Sequence, residues 1–216
     1  MNLFIWDFHG TLEKGNEWAV QEVTNLALES YGYRERLQED HAYQLYGRNW
    51  YEYFQYLLPN EPHQRHIQLQ ETAFRISINR PDIIARYVKP NDHAREVLES
   101  IASSNQDQIV ISRTLPESLA VFLEVVQMKD YFPEGSALAV NAHARETERT
   151  KQDVLREFLN GRSYHKIVAI GDSPQDIQLT SVGGGVSYLY AHPVRTFPAC
   201  SADYRIRDLR EILREI

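Results

Sequence analysis

One cysteine, Cys200, stands in a chain of 216 residues. No disulfide can close within the chain, and a reducing compartment is the expected setting. No histidine cluster surrounds Cys200, so it reads as a spectator rather than a nucleophile. Long apolar runs are missing too: nothing approaches the roughly 20 residues of a membrane span. The opening stretch Met1-Asn2-Leu3-Phe4-Ile5-Trp6-Asp7 has no basic residue and too short an apolar run for a signal peptide. These absences point to a cytoplasmic protein with no membrane partner. Positive charge is also short. Lys and Arg number 23 against 30 Asp and Glu, a net charge of −7. Such a chain gains no counterion-release energy on DNA or RNA, which makes nucleic acid a poor default partner. Small anions stay open as ligands, because one local cation outweighs a distant field. Nothing in the sequence speaks to oligomeric state, and no internal repeat is visible.

What is present is a globular composition, 43% hydrophobic and 25% charged, in a length that supports one sizeable core or a core with a smaller insertion. Short apolar runs ending in turn signals predict buried strands at Leu3–Trp6, Gln108–Ile111, Ala137–Val140, Lys166–Ile170 and, more weakly, Val186–Tyr190. Helical periodicity falls between them, at Leu115–Val126, Lys151–Leu159 and Pro174–Leu179. Strand–helix alternation of this kind argues for a parallel sheet covered on both faces. The stretch from Lys14 to Lys89 breaks the alternation. It carries helix-like patterns, among them Glu17–Ser30 and Gln38–Leu58, with Pro59, Pro62, Pro81 and Pro90 as punctuation. It is far longer than a crossover needs, and it reads as an inserted helical domain. The expected division is therefore 1–13 with 90–216 for the sheet domain, and 14–89 for the insertion.

Four segments fall at strand ends or helix starts. They are Phe4-Ile5-Trp6-Asp7-Phe8-His9-Gly10-Thr11-Leu12, Ile109-Val110-Ile111-Ser112-Arg113-Thr114, Arg149-Thr150-Lys151, and Ile167-Val168-Ala169-Ile170-Gly171-Asp172-Ser173-Pro174-Gln175-Asp176. An aspartate at the carboxyl end of a parallel strand sits where open sheets bind ligands. A carboxylate there can attack phosphorus. It needs its charge offset to approach an anion, which Mg²⁺ held by oxygen ligands such as Asp7 and Asp172 can do. Asp176, four residues on from Asp172, would lie about one helical turn away and support that site from behind. Ser112 could donate to a phosphoryl oxygen, and Lys151 could neutralise both the phosphate and Asp7. Blander readings stand beside these. Ser112 could cap the following helix. Asp172 and Asp176 could be turn and helix-start acids. Lys151 could be a solvated helix lysine, with Arg149 in the cationic role.

In this order the segments resemble the haloacid dehalogenase superfamily, over almost the whole chain. The first and fourth are specific as a pair; the second and third are weak alone. The tail Ala202–Ile206 with Leu209 and Leu213 resembles the family's closing strand and helix. The resemblance implies a Rossmann-like core, with the helical insertion matching the cap domain of the small-substrate branch. It implies a hydrolase that takes a small phosphorylated metabolite through an aspartyl-phosphate on Asp7, with Mg²⁺ as cofactor. Asp7, the backbone carbonyl of His9, and Asp172 would hold the metal, with Asp176 beside them. Ser112, Arg113, Lys151 and Thr11 would serve the phosphate, Thr11 by bracing the first loop.

One position departs from the pattern. The family's phosphatases usually carry a second aspartate two residues after the nucleophile, as acid and base; here that place is His9. An imidazole with an ordinary pKa of about 6.5 suits the same work. The departure also keeps open a weak or inert binding protein, and a dehalogenase-like hydrolase that works without metal. A phosphonate-cleaving route, which the family runs through a cap lysine, is disfavoured because no Lys lies between Lys14 and Lys89.

Three further features read as structural. Tyr43, Tyr46, Trp50, Tyr53 and Phe54 fall at helical spacing, which predicts a packed face more than a stacking platform for substrate. Gly183-Gly184-Gly185 predicts a flexible connection rather than a phosphate cradle. His41, His63, His66, His143 and His165 show no metal-ligand spacing.

Overall fold

Residue 5 of the chain, Ile5, and its alternate neighbour Leu3 point to one face of a strand, while Phe4 and Trp6 point to the other; all four are fully buried. That double burial is the mark of a central parallel strand. A computed structural model describes residues 1–141, 149–192 and 196–216, with Tyr43 described by its backbone alone. Among these, β1 (Asn2–Trp6) lies in a six-stranded sheet. Its other members are β4 (Asp107–Ser112), β5 (Ala137–Ala139), β6 (Lys166–Gly171), β7 (Gly185–Tyr190) and β8 (Tyr204–Ile206). The order is β5-β4-β1-β6-β7-β8, and every neighbouring pair is parallel.

Leu3, Ile5, Ile109, Ile111, Ile167 and Ala169 form one face and pack on Val154 and Leu155 of α8 (Lys151–Leu159). The opposite face meets α6 (Ala94–Ser103): Gln108 of β4 donates through Nε2 to the Leu98 carbonyl at 3.1 Å. Each fully buried aliphatic side chain contributes about 1.5–3 kcal/mol. This is the α/β, Rossmann-like architecture with helices on both faces of the sheet.

The chain falls into two compact units, residues 1–14 with 89–216, and residues 15–88. The strands β2 (Glu13–Lys14) and β3 (Lys89–Pro90) pair antiparallel where the chain leaves and re-enters the first unit. The second unit is helical, with α1 (Asn16–Ser30), α2 (Glu39–Leu45), α3 (Trp50–Leu57), α4 (His63–Asn79) and α5 (Pro81–Tyr87). Pro81 opens α5 at a position where its missing N–H leaves no bond unmade.

Three expectations need correction. The predicted helix Gln38–Leu58 is two helices. Gly47 takes φ 82°, and Asn49 starts α3 through a reciprocal capping box with Glu52, so the periodicity survives across a break. The predicted helix Pro174–Leu179 ends early: α9 spans Pro174–Ile177, and a separate short helix, α10 (Thr180–Gly183), starts just past the predicted span. The glycine run is no slack tether. Gly185 has φ 130°, and a Cβ there would lie 1.9 Å from the Ile167 carbonyl oxygen, so β7 can pair with β6 at this point only through glycine.

Of the clustered aromatics, Tyr53 and Phe54 are buried. Trp50 donates through Nε1 to Thr24 Oγ1 at 2.8 Å and meets Phe74 edge-on. They serve as core of the helical unit, with Leu37, Ala42 and Leu45 beside Tyr53. His66 is buried and bonds the Leu58 carbonyl through Nε2. His143 lies outside the described residues.

Candidate active site

The parallel register brings the sequence segments to one edge of the sheet. Asp7 is the first residue past β1, and its N–H donates to the Ile170 carbonyl of β6 at 2.8 Å. Trp6 pairs with Val110 on one side and with Ile170 on the other. Ser112 therefore ends the strand on one flank of Asp7, and Gly171-Asp172 ends the strand on the other. The strand order reverses about β1, and in such sheets the usual ligand position is at the carboxyl ends beside that reversal.

Lys151 is the first residue of α8, behind a capping box made by Thr150 and Asp153. A cation at a helix N-terminus opposes the helix dipole, and burial removes its water as well. Two carboxylates offset both costs. Lys151 Nζ donates to Asp7 Oδ1 at 2.5 Å and to Asp176 Oδ1 at 2.6 Å. Side-chain exposure is 5% for Lys151, 8% for Asp7 and 1% for Asp176. Arg149, the alternative cation, instead pairs with Glu157 at the surface.

The second oxygen of Asp176 accepts from Ser173 N–H at 3.0 Å and from Ser173 Oγ at 2.6 Å. Asp176 thus closes the first turn of α9, as the bland reading has it, and engages Lys151 at once. Gly171 makes room for it: a Cβ there would lie 2.2 Å from the Asp176 Cβ. Thr11, fully buried, donates through Oγ1 toward Asp7 Oδ2 at 3.4 Å.

Ser112 is buried, and its Oγ has no hydrogen-bond partner among the described residues. It does not cap the next helix, because α7 (Pro116–Val125) starts behind Leu115. A buried hydroxyl without a partner is uncommon in folded proteins and calls for a reason. Arg113 follows it, half-buried.

Oxygens of Asp7, Asp172 and Asp176 lie within 4.8 Å of one another. Burial raises the Asp7 carboxyl, Lys151 lowers it and Asp176 raises it again, for a net shift up to about 6. Burial alone would lower Lys151, but Asp176 and Asp7 together hold it well above the ordinary lysine range. Both shifts arise where a single buried ammonium serves two buried carboxylates. An oxygen-only cluster with excess negative charge suits a hard divalent cation such as Mg²⁺.

His9 is placed differently from the rest. Its Nδ1 lies 3.0 Å from Glu13 Oε1, which also accepts from the Gly10 N–H at 3.2 Å. The ring is edge-on to Phe8 and to Phe122 of α7. Glu13 is a contact that the sequence reading passed over. An acid four residues after His9, beside apolar Leu12, is the signal that was there to find.

The class so defined is a parallel α/β protein with a strand-end aspartate, a buried lysine and further carboxylates gathered at the edge of the sheet where such folds bind ligands. The haloacid dehalogenase-like hydrolase family matches residues 4–185, and the chain belongs to that family. No curated protein matches the sequence. Among solved structures, it is similar to a HAD-superfamily hydrolase of subfamily IA, variant 1, from Geobacter sulfurreducens PCA. That likeness has 17% identity and TM-score 0.72, over 100% of this chain and 96% of the other. CbbY from Rhodobacter sphaeroides, in complex with phosphate, gives 13% identity and TM-score 0.71 over 98% and 95%. A HAD family hydrolase from Deinococcus radiodurans R1, with bound phosphate and sodium, gives 17% and 0.66 over 99% and 94%. At these identities the likeness speaks for the fold. Among the described residues, no helix is long and apolar enough to cross a membrane.

Proposed function

We propose that this hydrolase is a Mg²⁺-dependent phosphatase for a small phosphorylated metabolite, acting in the cytoplasm through an aspartyl-phosphate on Asp7. The observation that carries the reading is the buried Asp7–Lys151–Asp176 cluster, two carboxylates on one ammonium, with the further carboxylate of Asp172 beside it. Asp7, Asp172, Asp176 and the His9 carbonyl would hold Mg²⁺, which when bound supplies charge neutralisation for the incoming phosphate.

The residues divide the work as follows. Lys151 and the Ser112 hydroxyl engage phosphoryl oxygens, with Arg113 at the approach and Thr11 keeping Asp7 oriented. An Asp7 oxygen attacks phosphorus, the phosphorus–oxygen ester bond breaks, and His9 gives a proton to the leaving oxygen. His9 then takes a proton from water as that water attacks the acyl-phosphate. Inorganic phosphate leaves and the Asp7 carboxylate is restored. The helical unit, residues 15–88, would act as the cap that chooses the substrate. Family membership and the orphaned Ser112 hydroxyl support the reading independently of that cluster.

The test is a panel of phosphorylated metabolites and p-nitrophenyl phosphate, assayed with and without Mg²⁺. Turnover is expected with Mg²⁺ and is expected to fall to background in Asp7→Asn. Turnover that survives Asp7→Asn, or that ignores chelator, overturns the mechanism.

A further inference from the structure

Glu13 is a fully buried carboxylate that none of the roles above uses. It opens β2, just after the turn in which the N–H groups of Thr11, Leu12 and Glu13 all close onto the Phe8 carbonyl. That turn carries the Glu13 side chain back to the start of its own loop. There Oε1 accepts from both His9 and Gly10, at 3.0 and 3.2 Å. Its other oxygen, Oε2, is buried without a partner among the described residues. An ionised carboxylate can only accept, which puts the hydrogen between the two side chains on Nδ1 of the imidazole.

We propose that Glu13 is a positioning residue for His9. It holds the hydrogen on Nδ1 and the ring in one orientation, so that Nε2 is the nitrogen that gives and takes the proton. The proposal rests on the reading of His9 as acid and base, and explains how an imidazole can stand where an aspartate is usual. A carboxylate in that place has two equivalent oxygens and needs no tautomer. An imidazole has two different nitrogens, and the partner of one decides the state of the other. The arrangement is that of a carboxylate orienting a catalytic histidine. Phe8 and Phe122, edge-on to the ring at 5.1 and 4.8 Å, fix its plane and leave rotation about the ring to be settled by Glu13.

A merely structural Glu13 would tie the loop through the Gly10 N–H and leave the ring unaffected. Two measurements separate these. In ¹⁵N-histidine NMR at a pH where the ring is neutral, wild-type His9 is expected as the Nδ1–H tautomer. Glu13→Leu is expected to release it toward Nε2–H, and Glu13→Gln, which keeps an acceptor and the loop's shape, to preserve Nδ1–H. Wild-type His9 with its hydrogen on Nε2 overturns the proposal whatever the activity. In kinetics, an alkyl phosphate needs its leaving oxygen protonated and p-nitrophenyl phosphate does not. Glu13→Leu is expected to lower kcat on the alkyl phosphate by about 10–100-fold more than on p-nitrophenyl phosphate. That extra loss should vanish when His9→Ala is already present. An equal loss on both substrates, or one that persists beside His9→Ala, assigns Glu13 to the loop alone. If wild-type protein turns over no phosphate ester, the phosphatase reading fails, and the NMR result still decides what Glu13 does.

Discussion

Asp7 and Lys151 show what a single residue contributes when two carboxylates compete for one ammonium. Replacing Lys151 with Met leaves Asp7 and Asp176 buried side by side without a cation. Breaking a buried pair in this way costs about 3–5 kcal/mol, to be read as a lower urea midpoint at neutral pH. The loss should shrink in acid, as the carboxylates take up protons. Asp7 itself carries a pH signature. Its folded pKa of about 6 lies above the ordinary 3.8, so the folded state holds the proton more tightly than the unfolded chain. The stability associated with that proton is complete below about pH 3.8 and is lost as pH rises through about 6. In metal-free protein, Asp7→Asn is therefore expected to melt higher than wild type at pH 7.5 and to lose that advantage by pH 4. Added Mg²⁺ should raise the wild-type melting temperature more at pH 7.5 than at pH 5, and do less for Asp7→Asn. Equal shifts in both proteins at both pH values would place the cation elsewhere.

At the scale of elements, the charged cluster is made by three joints: the end of β1, the end of β6 where it turns into α9, and the start of α8. The β6–α9 joint is the tightest. Ser173 and Asp176 cap each other across the first turn of α9, and Gly171 admits the Asp176 side chain against the strand. Ser173→Ala is expected to cost about 1 kcal/mol, the usual value of a lost N-cap, and to lower activity by freeing Asp176 from its fixed rotamer. Gly171→Ala forces Asp176 away, so it should reduce kcat more than it reduces the melting temperature. Gly185→Ala gives the converse. It lies a strand away from the cluster, so it should lower stability by about 2–4 kcal/mol while any protein that still folds keeps its KM. These joints were only partly legible beforehand. Asp172 and Asp176 stood out by spacing, but the glycines' close approaches depend on which strand lies beside which.

On the scale of the whole molecule, the helical unit is spliced into the other unit at a β-pair. Lys14 lies opposite Lys89, so the two crossing points are adjacent in the first unit's own structure. Each unit has its own buried cluster. Excising residues 15–88 and joining Lys14 to Lys89 by Asn-Gly, a two-residue hairpin turn, should leave a chain that melts cooperatively by circular dichroism. It should keep any Mg²⁺-dependent rise in melting temperature and lose discrimination among substrates. Failure to fold would mean that the sheet unit depends on the insertion for stability.

Local order made much of this readable from the sequence. Strands buried on both faces must be apolar throughout, and ligand positions in such sheets lie past their carboxyl ends, so Leu3–Trp6 and Lys166–Ile170 were legible as strands with Asp7 and Asp172 at that edge. The insertion showed itself by length and by its missing strand pattern. The break at Gly47 did not, because hydrophobic spacing continues through it and one glycine can end a helix or ride within it. Tertiary structure alone decided that Lys151 rather than Arg149 is buried, since both stand at the head of α8 and only packing against β1 and β6 tells them apart. Glu13 came to His9 through the local turn that closes on the Phe8 carbonyl, which the four-residue spacing allows but does not fix. Strand patterns are set by neighbours along the chain; a hydrogen bond between two side chains is set by where a turn delivers them, and no periodicity records that.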